Sequence, residues 1–308
     1  MSSITLLDTY WTGRPRSIAA ALLESDGHRS LIDPGPGCTL EKLRSELASC
    51  GISVSDLDAI LLTHIHLDHA GVTGSLVREN PRLTVYVHKI GAPHVNNPSR
   101  LLASAKRLWP DGIQRLYGEV LPVPHQNLKI LQGGETLMLG QRKIEVVYTP
   151  GHASHHVSYF DHEEGVAFVG DTAGIRIENA PYILLATPPP DIDLTQWDSS
   201  FAAILGRRPT RLFLTHFGFS DNPPAHITEY RERLHRWSAI AAKAIASSPD
   251  HETALKTFLA AIDTEVRQFL PADEVEHYNS TAAFDLSFLG LARYHQKLAL
   301  TASTSRNP

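Results

Sequence analysis

Three histidines and an aspartate fall within six consecutive positions, 64 to 69, in the run Thr63-His64-Ile65-His66-Leu67-Asp68-His69-Ala70-Gly71. Neutral imidazole nitrogens and carboxylate oxygens are the donors that zinc and similar borderline cations prefer, so this density points to a metal. Ile60-Leu61-Leu62 in front reads as a short buried strand, and Gly71 behind permits a turn. The donors therefore sit on a loop at a strand's end. Three later segments repeat the arrangement. A strand ending at Tyr148 runs into Thr149-Pro150-Gly151-His152, Val166–Val169 runs into Gly170-Asp171, and Arg211–Thr215 runs into His216-Phe217-Gly218. Taken singly each is weak, because an Asp after Gly is usually a turn residue. Side chains at the ends of adjacent strands converge, however, and four strand ends can deliver one cluster.

The elements that would carry these loops are legible in part. Residues 17–24 and 29–33 read as two strands joined at Asp26-Gly27, a hairpin signal. Pro34-Gly35-Pro36-Gly37 ends the second, and a helix-like segment follows over 40–50. Asp33 stands at that break, either as a turn residue or as a carboxylate orienting a ligand histidine. Gly74 to Arg78 begins a helix and Leu83 to His88 is rich in β-formers. Between Gly91 and Pro124 the prolines interrupt any regular pattern, apart from a helical stretch at 101–108. A segment of that length between strands is often a lid or pocket wall. Its Arg100, Lys106, Arg107 and Arg115 either meet an anionic substrate group or form a solvated helical face. Leu128–Leu131, Glu135–Leu139 and Lys143–Tyr148, parted by glycine turns, read as an antiparallel meander.

The four motifs resemble those of the metallo-β-lactamase superfamily, in the family's order, with separations of 83, 19 and 45 positions (69 to 152 to 171 to 216). The resemblance covers about residues 1 to 222. It implies an α/β fold, an αβ/βα sandwich of two mixed β-sheets flanked by helices with the metals at one edge. Carried over by position, it assigns His64, His66 and His152 to a first metal, and Asp68, His69 and His216 to a second. Asp171 would bridge the two. The implied cofactors are two divalent ions, Zn2+ first, with iron or manganese as alternatives. The implied chemistry is hydrolysis by a metal-bridging hydroxide of a small ester-like substrate (thioester, lactone or phosphodiester), with Asp68 also relaying a proton to the leaving group. Alternatives within the resemblance are a mononuclear iron oxidoreductase of the sulfur dioxygenase type and an inactive metal-binding scaffold. His155 and His156, just past the third motif, are candidates for a substrate contact or for a donor behind the ligands. His88, His94 and His125 lie outside the motifs, as do Asp191 and Asp193 in a proline-rich loop read as another pocket wall.

Departures from the family's branches narrow the substrate. Asp171 stands where the classical zinc β-lactamases typically carry Cys, His66 differs from the Glu of the flavin-linked di-iron branch, and Thr172-Ala173-Gly174 after Asp171 departs from the usual lactonase continuation. A glutathione-binding signature at the C-terminal end is not apparent.

A formal net charge of −5 argues against nucleic acid as a partner, since phosphate binding normally needs a basic face. Two cysteines are too few for a disulfide framework. With no leader-like start and no 18-residue apolar run, a cytoplasmic protein acting on a small molecule, away from membranes, is the expectation. After Asp221-Asn222-Pro223-Pro224 the composition shifts. Ile227, Tyr230, Leu234, Trp237, Ala241 and Ile245 form a helical stripe, Asp250 offers a cap, and Leu255, Phe258, Leu259, Ile262, Val266 and Phe269 form a second stripe. A third helical stretch follows Pro271. The chain thus divides into a catalytic domain (1–222), a helical C-terminal extension (223–300) able to cover the pocket or build a homodimer interface, and a polar, frayed tail (301–308).

Overall fold

The computed structural model describes residues 2–110, 112–177 and 180–304. In it β1 (Ser2–Asp8), β2 (Ala19–Ser25), β3 (His28–Ile32), β4 (Ala59–Leu61), β5 (Thr84–His88) and β6 (Leu128–Leu131) form one mixed sheet in sequence order. Asp26 and Gly27 both take left-handed φ angles, 50° and 81°, as the two-residue turn between β2 and β3 requires. From β3 onward the neighbours are parallel. The second sheet has the order β12-β11-β10-β9-β8-β7, built from β7 (Thr136–Leu139), β8 (Arg142–Tyr148), β9 (Val157–Asp161), β10 (Val166–Phe168), β11 (Arg211–Leu214) and β12 (Gly218–Asp221). Only β10 and β11 run parallel in it.

Alternation along the strands builds three apolar layers. Ala21, Leu23 and Leu61 from the first sheet meet Val146, Tyr159, Phe168 and Phe213 from the second in the middle layer. The opposite residues of the first sheet, Leu22, Ile60 and Val85, pack under α1 (Leu40–Ser49) and the residues just ahead of α2 (Leu67–Ala70) and within α3 (Thr73–Glu79). Smaller helices α4 (Ala92–Asn96), α5 (Ser99–Leu108) and α6 (Ile113–Tyr117) follow β5. The outer face of the second sheet, Val147, Phe160, Ala167 and Leu212, carries α7 (Leu194–Gly206), α8 (Pro223–Ser247), α9 (His251–Val266), α10 (Ala272–Thr281) and α11 (Phe284–Thr304).

Three expectations change. Leu128–Leu131 is not the first strand of a meander; it pairs parallel with β5 in the first sheet, and Gly133 and Gly134, with φ of 93° and 99°, let the chain cross to the second. Phe269 leaves its predicted stripe and is 45% exposed, because α9 ends at Val266. Residues 301–304 continue α11 and are not a frayed tail, while residues 305–308 lie outside those described. The helices after Asn222 share one core with the outer sheet face, burying Tyr230, Trp237, Phe258 and Phe288 in it. Asp250 caps α9, accepting from the Thr253 amide at 2.9 Å. No helix among the described residues is long and apolar enough to cross a membrane.

Candidate metal centre

Five strand ends meet at one edge of the sandwich. Thr63 follows β4, Asp33 follows β3, His152 follows β8, Asp171 follows β10 and His216 follows β11. Backbone bonds across the sheets fix their mutual position: the Ala19 amide donates to Thr215 O at 2.8 Å and the Val157 amide to Thr63 O at 2.8 Å. Within the first motif the intervening residues act as anchors. Ile65 packs in the core above the first sheet and Leu67 beside Trp11 and Tyr117, which leaves His64, His66 and Asp68 to face inward. Gly151 is required by close approach, since its φ is 139° and a Cβ would collide with Trp197 of α7.

Hydrogen bonds determine which nitrogen each ring presents. His152 Nδ1 lies 2.7 Å from Ala186 O and His216 Nδ1 lies 2.7 Å from Ser17 O. A carbonyl only accepts, so both Nδ1 atoms carry the proton and both Nε2 atoms offer a lone pair. The Thr63 hydroxyl donates to Asp33 Oδ2 at 2.7 Å, so its oxygen can accept only from His64 Nδ1, at 3.1 Å. His64 Nε2 is thereby also a free donor of electrons. That nitrogen lies 3.0 Å from His66 Nδ1, and His152 Nε2 lies 2.9 Å from the same atom. One proton on His66 can satisfy only one of these contacts. A cation among the three rings resolves the conflict.

Asp171 stands between two groups. One oxygen is 3.5 Å from His152 Nε2 and 4.0 Å from His64 Nε2, the other 3.2 Å from His69 Nε2 and 3.7 Å from His216 Nε2. Asp68 Oδ2 lies 3.5 Å from His216 Nε2. His64, His66, His152 and Asp171 therefore form one set able to hold a metal, and Asp68, His69 and His216 a second. His69 Nε2 and Asp171 Oδ1 are buried facing each other at 3.2 Å, and neither makes a hydrogen bond. Buried polar atoms left unpaired are costly, and a bound cation is the partner their chemistry fits.

Asp33 also falls within reach of His64 and His69, but its oxygens are already occupied. It accepts from the Thr63 amide (2.8 Å), the Thr63 hydroxyl, His69 Nδ1 (2.9 Å) and the Thr215 hydroxyl (2.8 Å). Fully buried and held at a left-handed φ of 47°, it orients His69 and ties three strand ends together. His156 has the same supporting character: it is wedged between Thr149 and Thr172 at 3.0 and 3.1 Å and lies against His64. His155 instead lines the cavity in front of the centre, and its Nδ1 has no partner.

Burial is the largest influence on every ring. It pushes His64 well below the ordinary imidazole range, His66 to about 4 and His152 downward, which keeps these three neutral and able to coordinate. Burial would likewise lower His69 and His216, but the neighbouring carboxylates win and raise both, with Asp171 foremost. Burial would raise Asp68, yet His69 and His216 hold it at about 2. A metal entering the second set must therefore displace a proton.

The cavity before the centre has a volume of about 400 Å³. One wall comes from the 91–124 segment, through Leu101, Leu108, Trp109, Leu116 and Tyr117, as the sequence suggested for that segment. Of the four cationic residues singled out there, Arg100 alone reaches the lining, and His94 lies beside it. Pro188 to Asp191 form another side, and Asp193 caps α7 through the Gln196 amide. Trp11, whose indole donates to Leu116 O at 2.6 Å, was invisible in the sequence, because it reaches the cavity only through tertiary packing. Residues 280–283, 286 and 287 at the junction of α10 and α11 bring the helical extension to the cavity, one of the two uses expected for it, although no single position signalled it. His88 stacks on Tyr148 and takes no part.

Residues 13–216 match the model of the metallo-beta-lactamase superfamily. The chain is similar to a metallo-beta-lactamase fold-containing protein of Sulfurisphaera tokodaii, 29% identical over 53% of this chain and 61% of that protein. It is also 29% identical to a hydroxyacylglutathione hydrolase of Aeromonas hydrophila, over 49% of this chain and 44% of that enzyme. The chain thus spans roughly half of these curated relatives. Among solved structures, a metallo-beta-lactamase family protein of Thermus thermophilus superposes over 97% of this chain and 94% of its own, with a TM-score of 0.68 at 21% identity. A second, solved in a di-iron-bound form, covers 66% of this chain and 89% of its own at 28% identity, with a TM-score of 0.50.

Proposed function

The chain belongs to the metallo-beta-lactamase superfamily, and from that premise we propose that it is a dinuclear metal-dependent hydrolase of a small ester-like molecule: a thioester, lactone or phosphodiester. The observation that carries this reading is the set of convergent, unpaired donor atoms, above all buried His69 Nε2 and Asp171 Oδ1. We assign His64, His66 and His152 to one ion, Asp68, His69 and His216 to the other, and Asp171 to both. When bound, such a pair of divalent ions supplies a hydroxide near neutral pH and Lewis-acid stabilisation of the developing oxyanion.

The chain's own residues supply the rest. Ser17 O, Ala186 O, Thr63 and Asp33 fix the ring tautomers, so the coordinating nitrogens are presented without reorganisation. Asp68 is the ligand carboxylate with the larger exposure, 18% of its side chain against 7% for Asp171, and it lines the cavity. That position suits it to pass a proton to the leaving group. The relative named as a hydroxyacylglutathione hydrolase supports a thioester among the candidates, and the di-iron relative keeps iron beside zinc as the metal.

The test combines metal analysis of purified protein with a panel of thioesters, lactones, phosphodiesters and β-lactams. Turnover of one class, abolished by chelation and restored by metal, is the expected outcome. Undiminished turnover after metal removal or in His66→Ala would overturn the reading. A single iron, with oxygen consumed in the presence of a persulfide, would replace it with the oxidoreductase alternative.

A further inference from the structure

The cavity lining is unequal in its chemistry. Leu101, Leu108, Trp109, Leu116 and Trp11 present carbon to the cavity beside the polar His94 and Ser104, and among the described residues Arg100 is the one lysine or arginine in the lining. A substrate with several anionic groups would need several cations there. On the centre's side two buried polar atoms lie in the lining with no partner: Thr187 Oγ1, on a residue 1% exposed, and His155 Nδ1, on a residue 8% exposed. Unpaired buried hydrogen-bonding groups in a cavity wall mark the place where a ligand's polar end completes them. The lining is therefore polarised: polar at Thr187 and His155, and mainly apolar along Trp11 and the 91–124 segment.

From this we propose that the substrate is an acyl ester or thioester with a single extended apolar arm and at most one negative charge, its carbonyl end beside Thr187 and His155 and its arm against Leu108, Trp109 and Leu116. The inference rests on the hydrolase reading above and narrows it. Water adds to the carbonyl carbon, the carbon–oxygen or carbon–sulfur bond breaks, the acyl group leaves as a carboxylate, one proton of the water ends on the departing alkoxide or thiolate, and the other is released to solvent. Thr187 and His155 are positioning residues for the head group, and the apolar wall sets the preferred chain length.

Binding can be read without turnover. Two of the four tryptophans, Trp11 and Trp109, line the cavity, while Trp197 and Trp237 are buried in the core behind the second sheet. Straight-chain carboxylates from acetate to decanoate, titrated into zinc-loaded protein, should therefore change the fluorescence, and Trp109→Phe should remove much of the signal. Affinity should rise by roughly threefold per added methylene until the wall is covered. Leu108→Asn with Leu116→Asn should flatten that slope, while Thr187→Val should weaken every member by a similar factor and Thr187→Ser should restore it. Thermal unfolding of each variant separates a binding change from a folding defect. Equal affinity for acetate and octanoate in the native protein, or tighter binding of a glutathione thioester than of a neutral acyl thioester of equal length, would overturn the proposal. The p-nitrophenyl esters and acyl thioesters of the same chain lengths form the catalytic arm. A steep chain-length dependence of binding with no hydrolysis contradicts the hydrolase reading alone, and hydrolysis indifferent to chain length contradicts the substrate assignment alone.

Discussion

His152 and His216 each give a ring proton to a backbone carbonyl, Ala186 and Ser17 respectively, whereas the side chains of Leu101 and Leu116, in the same cavity lining, are placed by packing in the apolar cluster of Trp11, Leu67 and Tyr117. The centre is rigid by construction: its rings are buried, its tautomers are set, and Asp33 joins three strand ends beneath it. The wall formed by the 91–124 segment is partly exposed and made from the short helices α5 and α6. Chemistry that must be placed to fractions of an ångström sits on strand ends, and selectivity sits on segments whose side chains can change without moving the ligands.

Substitutions on the two sides should therefore differ in kind. The largest effect is expected at His66, where alanine removes the nitrogen that faces both His64 and His152. Metal affinity should fall by more than the 10–100-fold typical of outer-shell partners, with activity following, by calorimetric metal titration and substrate turnover. Asp33→Ala comes next. It strips the acceptor from four buried donors, so we expect a loss of ~3–5 kcal/mol by denaturant unfolding, together with a 10–100-fold weaker second metal. Unchanged affinity for both ions in Asp33→Ala would contradict the role given to it through His69 and, by way of the Thr63 hydroxyl, His64.

Gly290→Ala tests how α11 supports the cavity. A Cβ there would lie inside contact distance of Thr187 O, so the helix or the 187–190 loop must shift. A destabilisation of about 1–3 kcal/mol with altered KM but unchanged metal content is expected. Smaller still is Leu108→Ala on the 91–124 wall, which should change KM while leaving metal binding and unfolding nearly untouched.

A separate effect is one of pH. Burial lowers His226 to about 4 while its ring bonds Ala173 O and Ser220. An unfolded histidine titrates near 6.5, so the unfolded state takes up the extra proton between these values. Stability present above pH 6.5 is thus lost as pH falls towards 4, and His226→Gln should flatten that slope in unfolding experiments.

The edge where the candidate metal donors converge was legible because four motifs keep their residue types adjacent in sequence, and strand ends are easy to place when an apolar run stops at Gly or Pro. The hairpin at Asp26-Gly27, the helix at 40–50 and the cap at Asp250 were readable for the same local reason. Asp33 was ambiguous, since its acceptors' role depends on Thr63, His69 and Thr215 arriving from elsewhere. β6 misled because its local pattern fits either sheet, and only the partner β5 decides. Trp11 and Thr187 gave no signal at all, and the extension's approach to the cavity was expected without the residues that make it, 280–283, 286 and 287: each becomes part of the lining through contacts made across the whole chain. The division after Asn222 marks a change of composition, but the helices beyond it complete the core of the second sheet. We propose that this extension folds only together with the catalytic domain, and removing residues 223–308 should yield protein that aggregates or unfolds at lower denaturant.

The most direct measurement is the metal stoichiometry of the native chain and of His66→Ala, read by calorimetric titration of zinc into chelator-stripped protein alongside hydrolysis of the ester and thioester series. Two ions per native chain, one retained by the variant, and turnover that tracks full occupancy are the predicted result. One ion at saturation in the native protein, or equal turnover with and without metal, would contradict the account.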